Sequence, residues 1–400
     1  PRFFTRRHQT PWGDAINFDG PESHWVRQFF IHNALYWLEE YHFDGLRLDA
    51  VHAIQDNSQP DILTELADTV HARTPPHRHV HLVLENDDNA AHYLARDRDG
   101  NPRWFVAQWN DDLHHALHVT ITGETRGYYT DYRDNPVAHL GRCLTEGFAY
   151  QGESSEFRND TPRGEPSAQL PPVAFVGFLQ NHDQVGNRPF GDRIQSLAAP
   201  DAIRAALAIV LLAPSPPLIF MGQEWLAPEP FPFFCDFGED LAEAVTEGRR
   251  REFAQYPEFG DPEARHRIPD PMDPTTYRKA VLDWSRRKAP GHREWLDLHQ
   301  RLLAIRHQAI LPLLAGLRGN EARYTLLGDR SLQASWRLAG GHRLTLIAHL
   351  DDDPGPRIEP PPGRILYTTN RETTFPLPPW SVDWYLAKAE TPPAQNRNPP

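Results

Sequence analysis

Apolar side chains recur at helical spacing in several long segments of the chain. In residues 22–41, Trp25, Phe29 and Trp37 follow this spacing, and Pro21 suits the first turn of a helix. The same spacing predicts helices at 61–73, 202–213 and 295–305. Short apolar runs between these helices predict strands at 46–51, 80–85, 105–109, 175–179 and 218–221.

The alternation of strands and helices predicts a parallel sheet built from βαβ units in residues 1–317. Residues 123–170 are rich in turn-forming residues, so we expect irregular excursions from the scaffold there. After residue 318 the pattern changes to short apolar runs at 332–338, 344–350, 364–368 and 381–386, separated by Gly, Pro and Asp. These runs predict a small antiparallel β domain over 318–389, followed by a disordered tail rich in Pro and Asn at 390–400.

Charge and composition exclude several classes of protein. The 400 residues include 41 Lys and Arg against 54 Asp and Glu, which gives a net charge of −13. An acidic chain lacks the basic face that nucleic acid requires, and it does not suit an anionic membrane surface. The longest apolar run, at 205–213, is shorter than the ~18 residues of a membrane-spanning helix. Two cysteines, Cys143 and Cys235, cannot form a disulfide framework, which favours a reducing compartment such as the cytoplasm.

A charged pair ends the strand predicted at 46–51. In a strand, Arg47 and Asp49 lie on one face, while the apolar neighbours lie on the other. A carboxylate at the carboxyl end of a parallel strand lies where barrel enzymes keep their active sites. The adjacent guanidinium favours the ionised carboxylate, as a nucleophile requires. The alternative is a structural ion pair at the rim of the sheet.

A second acid, Glu85, ends the apolar strand HLVL at 81–84. Partial burial at such a position raises the pKa of a carboxyl group, which then stays protonated and acts as a general acid. The alternative is a helix N-cap or a solvated loop acid. That alternative suits Asp87 and Asp88 better than Glu85.

The segment QNHDQVGNR at 180–188 places an amide, an imidazole and a carboxylate in one turn after a strand. Asn181, His182 and Asp183 are suited to hold sugar hydroxyls and to bring a third carboxylate close to a reacting carbon. A metal site is disfavoured, because one His and one Asp do not make a ligand set. A Ser-His-Asp hydrolase is also disfavoured, because the G-x-S-x-G motif is absent from the sequence.

Three acids at successive strand ends suit glycosidic bond cleavage. One acid protonates the leaving oxygen, one carboxylate attacks the anomeric carbon, and the third stabilises an oxocarbenium-like transition state. We expect neither a required metal nor a cofactor. Two further groups of residues have two interpretations each. A metal site or, more favoured, helix capping is expected for Asp111, Asp112, His114 and His115. Sugar stacking or simple burial is expected for Trp225, Phe231, Phe233 and Phe234.

Taken in order, GLRLD at 45–49, LE at 84–85 and NHD at 181–183 resemble the second, third and fourth signature regions of the α-amylase superfamily of glycoside hydrolases. Longer segments resemble, more narrowly, the members of that superfamily that release trehalose. These segments are TPWGDAINF at 10–18, GLRLDAVHAI at 45–54, QWNDDLHHA at 108–116, NHDQVGNRPFGDR at 181–193, MGQEW at 221–225, FF at 233–234 and EGRRREF at 247–253.

The resemblance implies a (β/α)8 TIM barrel lacking its first strands, with barrel strands 4 to 8 in residues 1–317 and a C-terminal β-sandwich over 318–389. It implies a retaining hydrolase that cleaves the α-1,4 bond next to the terminal trehalose of maltooligosyltrehalose, downstream of a maltooligosyltrehalose synthase. The implied catalytic residues are Asp49 as nucleophile, Glu85 as general acid/base and Asp183 as transition-state stabiliser. The candidate substrate contacts are Arg47 and His182 in the donor subsite, His52 on the acceptor side, and Asn181, Asp112 and Trp225.

Two departures from the superfamily pattern qualify the resemblance. The first signature, an Asp and an Asn-His pair after the third barrel strand, is absent from the sequence. We therefore expect the first three βα units and any N-terminal carbohydrate-binding domain to be missing, through truncation or in a non-functional remnant. The second departure follows Glu85, where Asn86 stands at a position that often carries Ser in the superfamily.

Two alternative functions remain for the same segments. A glucan branching enzyme of the superfamily typically has Ser-His-Asp-Glu in the fourth region, whereas this chain has Asn-His-Asp-Gln at 181–184. A non-catalytic glucan-binding protein would not need the three acids. The hydrolase is therefore the favoured interpretation.

Overall fold

The computed structural model describes residues 3–10, 13–370 and 375–388. Its helices are α1 (Ser23–Glu39), α2 (Ile62–Arg73), α3 (Asp111–Thr122), α4 (Pro136–Glu146), α5 (His182–Gly186), α6 (Pro200–Leu212), α7 (Glu239–Glu252), α8 (Pro262–His266), α9 (Pro274–Lys279) and α10 (Pro290–Ile305). Its strands are β1 (Phe4–Thr10), β2 (Gly13–Ile16), β3 (Gly45–Leu48), β4 (His81–Leu84), β5 (Ala107–Trp109), β6 (Glu153–Ser155), β7 (Thr161–Arg163), β8 (Phe175–Phe178), β9 (Pro217–Leu218), β10 (Ala322–Gly328), β11 (Ser331–Arg337), β12 (Arg343–His349), β13 (Arg364–Thr368) and β14 (Ser381–Ala387).

Five parallel strands form the sheet that carries the acids predicted from the sequence. Their order is β3-β4-β5-β8-β9, so neighbours in the sheet follow the order of the chain, as in a (β/α)8 barrel. Leu48 of β3 lies opposite Leu84 of β4, and Val83 lies opposite Ala107 of β5. The predicted parallel sheet is thereby confirmed, and the carboxyl ends of its strands meet at one edge.

Helices α1 and α2 pack against each other beside this sheet. The apolar residues that predicted these helices form their buried faces. Ile31, Leu38, Leu66 and Val70 are buried in one core cluster with residues of β4. Arg27 is also buried, but its guanidinium pairs with acidic side chains, 2.7 Å from Asp56 and 2.5 Å from Glu65. These ion pairs offset the cost of burying the charge of Arg27.

The C-terminal strands form one antiparallel sheet in the order β10-β11-β12-β14-β13. The predicted sandwich is corrected here, because this sheet packs on helices instead of on a second sheet. Trp336 of β11 and Trp384 of β14 are fully buried and stack with ring centroids 5.6 Å apart. Their indole N–H groups donate to Leu144 O of α4 and Ala208 O of α6, each at 3.1 Å. The domain boundary near residue 318 stays a prediction.

Residues 123–170, which we expected to be irregular, contain the helix α4. Its apolar residues Val137, Leu140 and Leu144 are buried, but Gly141 interrupts the pattern in the sequence. The glycine is required by packing, since a Cβ at Gly141 would lie 2.4 Å from the ring of Tyr324 in β10. The close approach of the C-terminal sheet therefore explains why local sequence did not reveal α4.

Some predictions fall outside the described residues. The tail at 390–400 is one of them, and so are Pro11 and Trp12 of the segment at 10–18. Within 3–10, 13–370 and 375–388, none of the helices combines the length and apolarity that crossing a membrane requires.

Candidate active site

A cleft of about 370 Å³ lies at the carboxyl edge of the parallel sheet. It is lined by side chains that follow four of the five strands and by residues of the 123–170 segment. They are Asp49, Ala50, His52, Glu85, Asp87, Asp111, His115, Tyr128, Asp131, Phe157, Arg158, Arg163, Asp183, Gln184 and Asn187. The three acids that the sequence singled out, Asp49, Glu85 and Asp183, thus line one cleft.

Arg47 lies between two of these acids. One of its Nη atoms is bonded to Asp49 Oδ1, and the other lies 2.8 Å from Glu85 Oε2. The guanidinium stacks on Trp109 at the end of β5, 4.1 Å from the ring centroid. This stacking fixes the guanidinium plane, so both acids experience the same localised positive charge.

Glu85 is held by the backbone as well as by Arg47. The Ala50 N–H donates to Glu85 Oε2 at 2.7 Å. Ala50 adopts a left-handed backbone, with φ of 44°, which is costly for a residue with a Cβ and is typical of functional sites. Burial raises the pKa of Glu85, and the Ala50 hydrogen bond and the Arg47 charge lower it. The charges of Asp183 and Asp49 also raise it, so the net shift is upward.

Asp49 and Glu85 therefore have different environments. The Asp49 side chain is 75% exposed and bonded to Arg47, whereas the Glu85 side chain is 18% exposed. A raised pKa keeps a carboxyl protonated at higher pH, which suits a proton donor, and an exposed carboxylate beside a guanidinium suits a nucleophile.

Asp183 lies in the first turn of α5. The Asn181 side chain caps this helix and accepts from the backbone N–H of Asp183 at 2.8 Å. Gln184 completes the cap, because its Oε1 accepts from the Asn181 N–H at 2.9 Å. Asn181 is buried and does not line the cleft, so the structure places it as a helix cap and corrects its prediction as a substrate contact.

His182 and His52 lie next to the catalytic acids that the sequence predicts. His182 Nε2 is 3.4 Å from Asp183 Oδ1, and its ring lies edge-on to Trp109. His52 lines the cleft, and its Nδ1 accepts from the Asp87 N–H at 3.4 Å. Both positions are compatible with substrate contact, which stays a prediction.

Asp112 is fully buried, which corrects its prediction as a substrate contact. One of its oxygens accepts from Tyr132 OH at 2.6 Å and lies 2.8 Å from Arg163. The other accepts from Asn89 Nδ2 and from the N–H groups of Ala149 and Tyr150. With both oxygens occupied, Asp112 connects α3 to Arg163 and to the backbone that follows α4.

The predictions for Trp225 and for helix capping at 111–112 are also corrected. Trp225 is buried, stacks near Trp284 at 5.1 Å and does not line the cleft. The N-cap of α3 is Asn110, whose side chain accepts from the Leu113 N–H, so Asp111 and Asp112 follow the cap. In the part of the chain that the structure describes, no group of three or more His, Cys, Asp or Glu could hold a metal ion.

The sequence suggested a metal site or helix capping for Asp111 and His115, but both residues line the cleft. Asp111 and His115 are four residues apart on α3, which puts them on one face of the helix. Burial raises the pKa of Asp111 well above its ordinary range, and the negative charge of Asp87 adds to this effect. Burial and the Arg163 charge lower the pKa of His115 to about 3. The i,i+4 spacing was the available signal, but the partners that shift the pKa values of these two groups are distant in sequence.

Arg158 and Arg163 bring positive charge to the cleft from the 123–170 segment. Arg163 lies 2.9 Å from Asp87, and Arg158 is bonded to the other oxygen of the same carboxylate. Burial raises the pKa of Asp87, but the two guanidinium groups lower it more, so the net shift is downward. The cleft thus combines an acid of lowered pKa, Asp87, with acids of raised pKa, Glu85 and Asp111, and such a separation suits acid/base cleavage of a sugar bond.

Both parts of the chain are similar to known proteins. Residues 319–384 match the family "Domain of unknown function (DUF3459)". The chain is 41% identical over 314 residues to the malto-oligosyltrehalose trehalohydrolase of Arthrobacter ramosus, covering 78% of this chain and 53% of that protein. The chain therefore spans about half the length of the curated relatives it matches.

A solved structure from Salmonella typhimurium, provisionally assigned as an alpha amylase, superposes with a TM-score of 0.89 at 41% identity. The match covers 96% of this chain and 64% of that one. A 1,4-alpha-glucan branching enzyme of Leifsonia xyli is more distant, 27% identical over 56% of this chain and 29% of the enzyme. The comparisons confirm the resemblance predicted from the sequence, and they support the barrel fold followed by a β domain.

Proposed function

We propose that this chain, a homologue of malto-oligosyltrehalose trehalohydrolases within the α-amylase superfamily, carries the catalytic centre of a retaining glycoside hydrolase. The bond cleaved is the α-1,4-glucosidic bond next to the terminal trehalose of maltooligosyltrehalose. The observation that carries the proposal is the cleft in which Asp49, Glu85 and Asp183 come together from three strand ends.

In the proposed reaction, Glu85 first donates its proton to the glycosidic oxygen, while Asp49 attacks the anomeric carbon. Trehalose leaves as a neutral alcohol that carries the proton from Glu85, and the remaining maltooligosaccharide is bound to Asp49 as a glycosyl ester. Glu85, now a carboxylate, takes a proton from water, which hydrolyses the ester. Asp183 faces the same cleft, so its charge stabilises the positive charge on the sugar ring in both transition states.

Arg47 supports both acids in this scheme. It is bonded to Asp49, the attacking group, and it lies close enough to Glu85 to stabilise the carboxylate formed when the proton leaves. His182 and His52 are the proposed substrate contacts on either side of these acids.

The cellular setting is part of the proposal. Cys143 and Cys235 are free thiols, which supports a reducing compartment such as the cytoplasm. A hydrolase that acts on maltooligosyltrehalose requires a reaction that converts the reducing end of a maltooligosaccharide into trehalose. We therefore propose functional coupling to a maltooligosyltrehalose synthase.

Incubation with maltooligosyltrehalose, followed by chromatography of the products, tests the function. We expect trehalose and a shortened maltooligosaccharide from an intact version of the protein, and far slower release of trehalose from its Glu85→Gln variant. New α-1,6 branches on a glucan would favour the branching enzyme instead. Binding of the oligosaccharide without any cleavage would favour a glucan-binding protein.

A further inference from the structure

Helix α7 reaches the backbone that follows Asp183 through one buried side chain, Arg249. Its Nη2 donates to Gly186 O at 2.8 Å and to Arg188 O at 3.0 Å. The Arg249 side chain is 7% exposed. These two carbonyl groups lie three and five residues after Asp183, at the carboxyl end of the helix that carries this acid.

Helix α5 depends on external partners, because it has five residues. A helix this short leaves most of its carbonyl groups without intrahelical partners, and a cation at the carboxyl end also interacts favourably with the helix dipole. Arg249 provides both the donors and the charge. Its guanidinium is itself fixed, since it lies 4.6 Å from the Phe253 ring centroid and 2.9 Å from Glu252.

The same backbone segment is held from a second direction by Arg188. Its guanidinium makes two bonds of 2.8 Å to the Glu124 carboxylate, just after α3. Glu124 also bonds to the buried His118 at 2.7 Å. The Asn187 N–H donates to Asp183 O at 2.8 Å, so the restrained segment is directly connected to the acid.

We propose that Arg249 is a positioning residue for Asp183: it orders the 181–188 turn and so sets where the carboxylate stands in the cleft. This inference explains why α7, which lies outside the parallel sheet, carries one of the segments with the narrower resemblance. Its effect on catalysis rests on the proposed function, whereas its effect on the order of the turn does not.

Amide hydrogen exchange in the full chain tests the ordering directly. In Arg249→Met, we expect exchange of the 181–188 amides to rise about tenfold or more, because two charge-assisted hydrogen bonds are lost. Arg250→Met is the matched control, since Arg250 is the next residue on α7 and pairs with Glu247 at 2.9 Å. Unchanged exchange at 181–188 in Arg249→Met would overturn the inference.

Arg249→Lys keeps the test decisive if the Met variant unfolds. A lysine keeps the charge but lacks the planar fork that binds two carbonyl groups, so we expect intermediate exchange at 181–188 and wild-type exchange elsewhere. Wild-type exchange at 181–188 in the Lys variant would argue against positioning by Arg249.

Kinetics with maltooligosyltrehalose form the second arm. We expect Arg249→Met to lower kcat about tenfold or more with little change in KM, because a displaced Asp183 affects the transition state more than substrate binding. If the wild type releases no trehalose, the proposed function fails and hydrogen exchange alone decides the inference. If kcat is unchanged while exchange rises, Arg249 orders the turn without positioning the acid, and the inference is wrong.

Discussion

The Arg47 guanidinium lies 2.8 Å from Glu85 Oε2 while its other Nη atom is bonded to Asp49. Arg47, which the sequence suggested as the partner of the nucleophile Asp49, therefore also contacts Glu85, the proposed proton donor. Because burial raises the pKa of Glu85 and Arg47 lowers it, the charge on Arg47 tunes the pH at which Glu85 stays protonated.

Replacing Arg47 with Gln should move the pH profile in a defined direction. Removing the cation destabilises the Glu85 carboxylate, so the pKa of Glu85 rises and the alkaline limb of kcat/KM shifts upward by about one pH unit or more. Arg47→Lys is the control, because it keeps the charge and should leave the limb close to that of the wild type. A downward shift of the alkaline limb in the Gln variant would contradict the placement of Arg47 beside both Asp49 and Glu85.

Removing either proposed reacting group should lower turnover far more than binding. Glu85→Gln cannot donate a proton, so we expect kcat to fall by about 10²–10⁴ with little change in KM. Asp49→Asn should lose at least as much, since it cannot form the glycosyl ester. Asp99→Asn in an exposed loop is a control that should retain wild-type turnover. Near wild-type kcat in either active-site variant would rule out its assigned role.

The stereochemical outcome is an independent prediction. Retaining enzymes hold the two carboxyl groups ~5–5.5 Å apart, whereas inverting enzymes need ~6.5–9.5 Å to admit a water molecule. We expect the shorter spacing between Asp49 and Glu85 in a substrate-bound crystal structure. Proton NMR during hydrolysis should show the α anomer of the shortened maltooligosaccharide first. First formation of the β anomer would indicate inversion.

The sequence predicted those helices and strands whose structure follows from a local pattern of apolar residues. Asp49 follows β3 and Glu85 follows β4, and these two acids do lie at one edge of the sheet. By contrast, β10 escaped detection, because its exposed and half-buried residues alternate without a strong apolar run.

The sequence predicted residues of the candidate site only where a reactive side chain directly follows a strand. Asp112 and Asn181 looked like substrate contacts because acids and amides usually bind sugars. Asp112 is buried with Arg163 and Tyr132 as partners, and Asn181 is buried as the cap of α5. Local sequence does not reveal these contacts. Phe157 and Arg158 were missed because an irregular segment has no periodicity that points its side chains toward a cleft.

Trp384 should be essential for stability, because it joins the C-terminal sheet to α6. Trp384→Ala removes a fully buried side chain and its bond to Ala208 O, so we expect the free energy of unfolding to fall by about 3–5 kcal/mol. Trp25→Ala is the matched control, since the Trp25 side chain is exposed. Its cost should be about 1 kcal/mol or less. Chemical denaturation measures both, and equal losses would contradict a shared core.

Asp111 and Asp112 are adjacent on α3, but their ionisation should have opposite effects on stability. Arg163 and the hydrogen bonds from Tyr132 and Tyr150 outweigh the effect of burial and lower the pKa of Asp112, so its carboxylate stabilises the fold above the ordinary pKa of 3.8. Asp112→Asn should therefore cost about 3 kcal/mol at neutral pH, because Arg163 loses a buried partner. The difference from the wild type should shrink as the pH falls below 3.8.

Asp111→Asn is the matched comparison at the neighbouring position, and we expect it to stabilise the protein. Burial raises the pKa of Asp111, so the wild type loses stability as the pH rises above the ordinary value of 3.8. An asparagine removes that titration, and its side-chain oxygen still accepts from Gln184 Nε2, as Asp111 Oδ1 does at 3.2 Å. Urea unfolding at pH 3 and pH 7 should show equal stability for this variant and the wild type at pH 3. At pH 7 the variant should be more stable, and a variant less stable than the wild type there would show that Asp111 acts as a stabilising carboxylate.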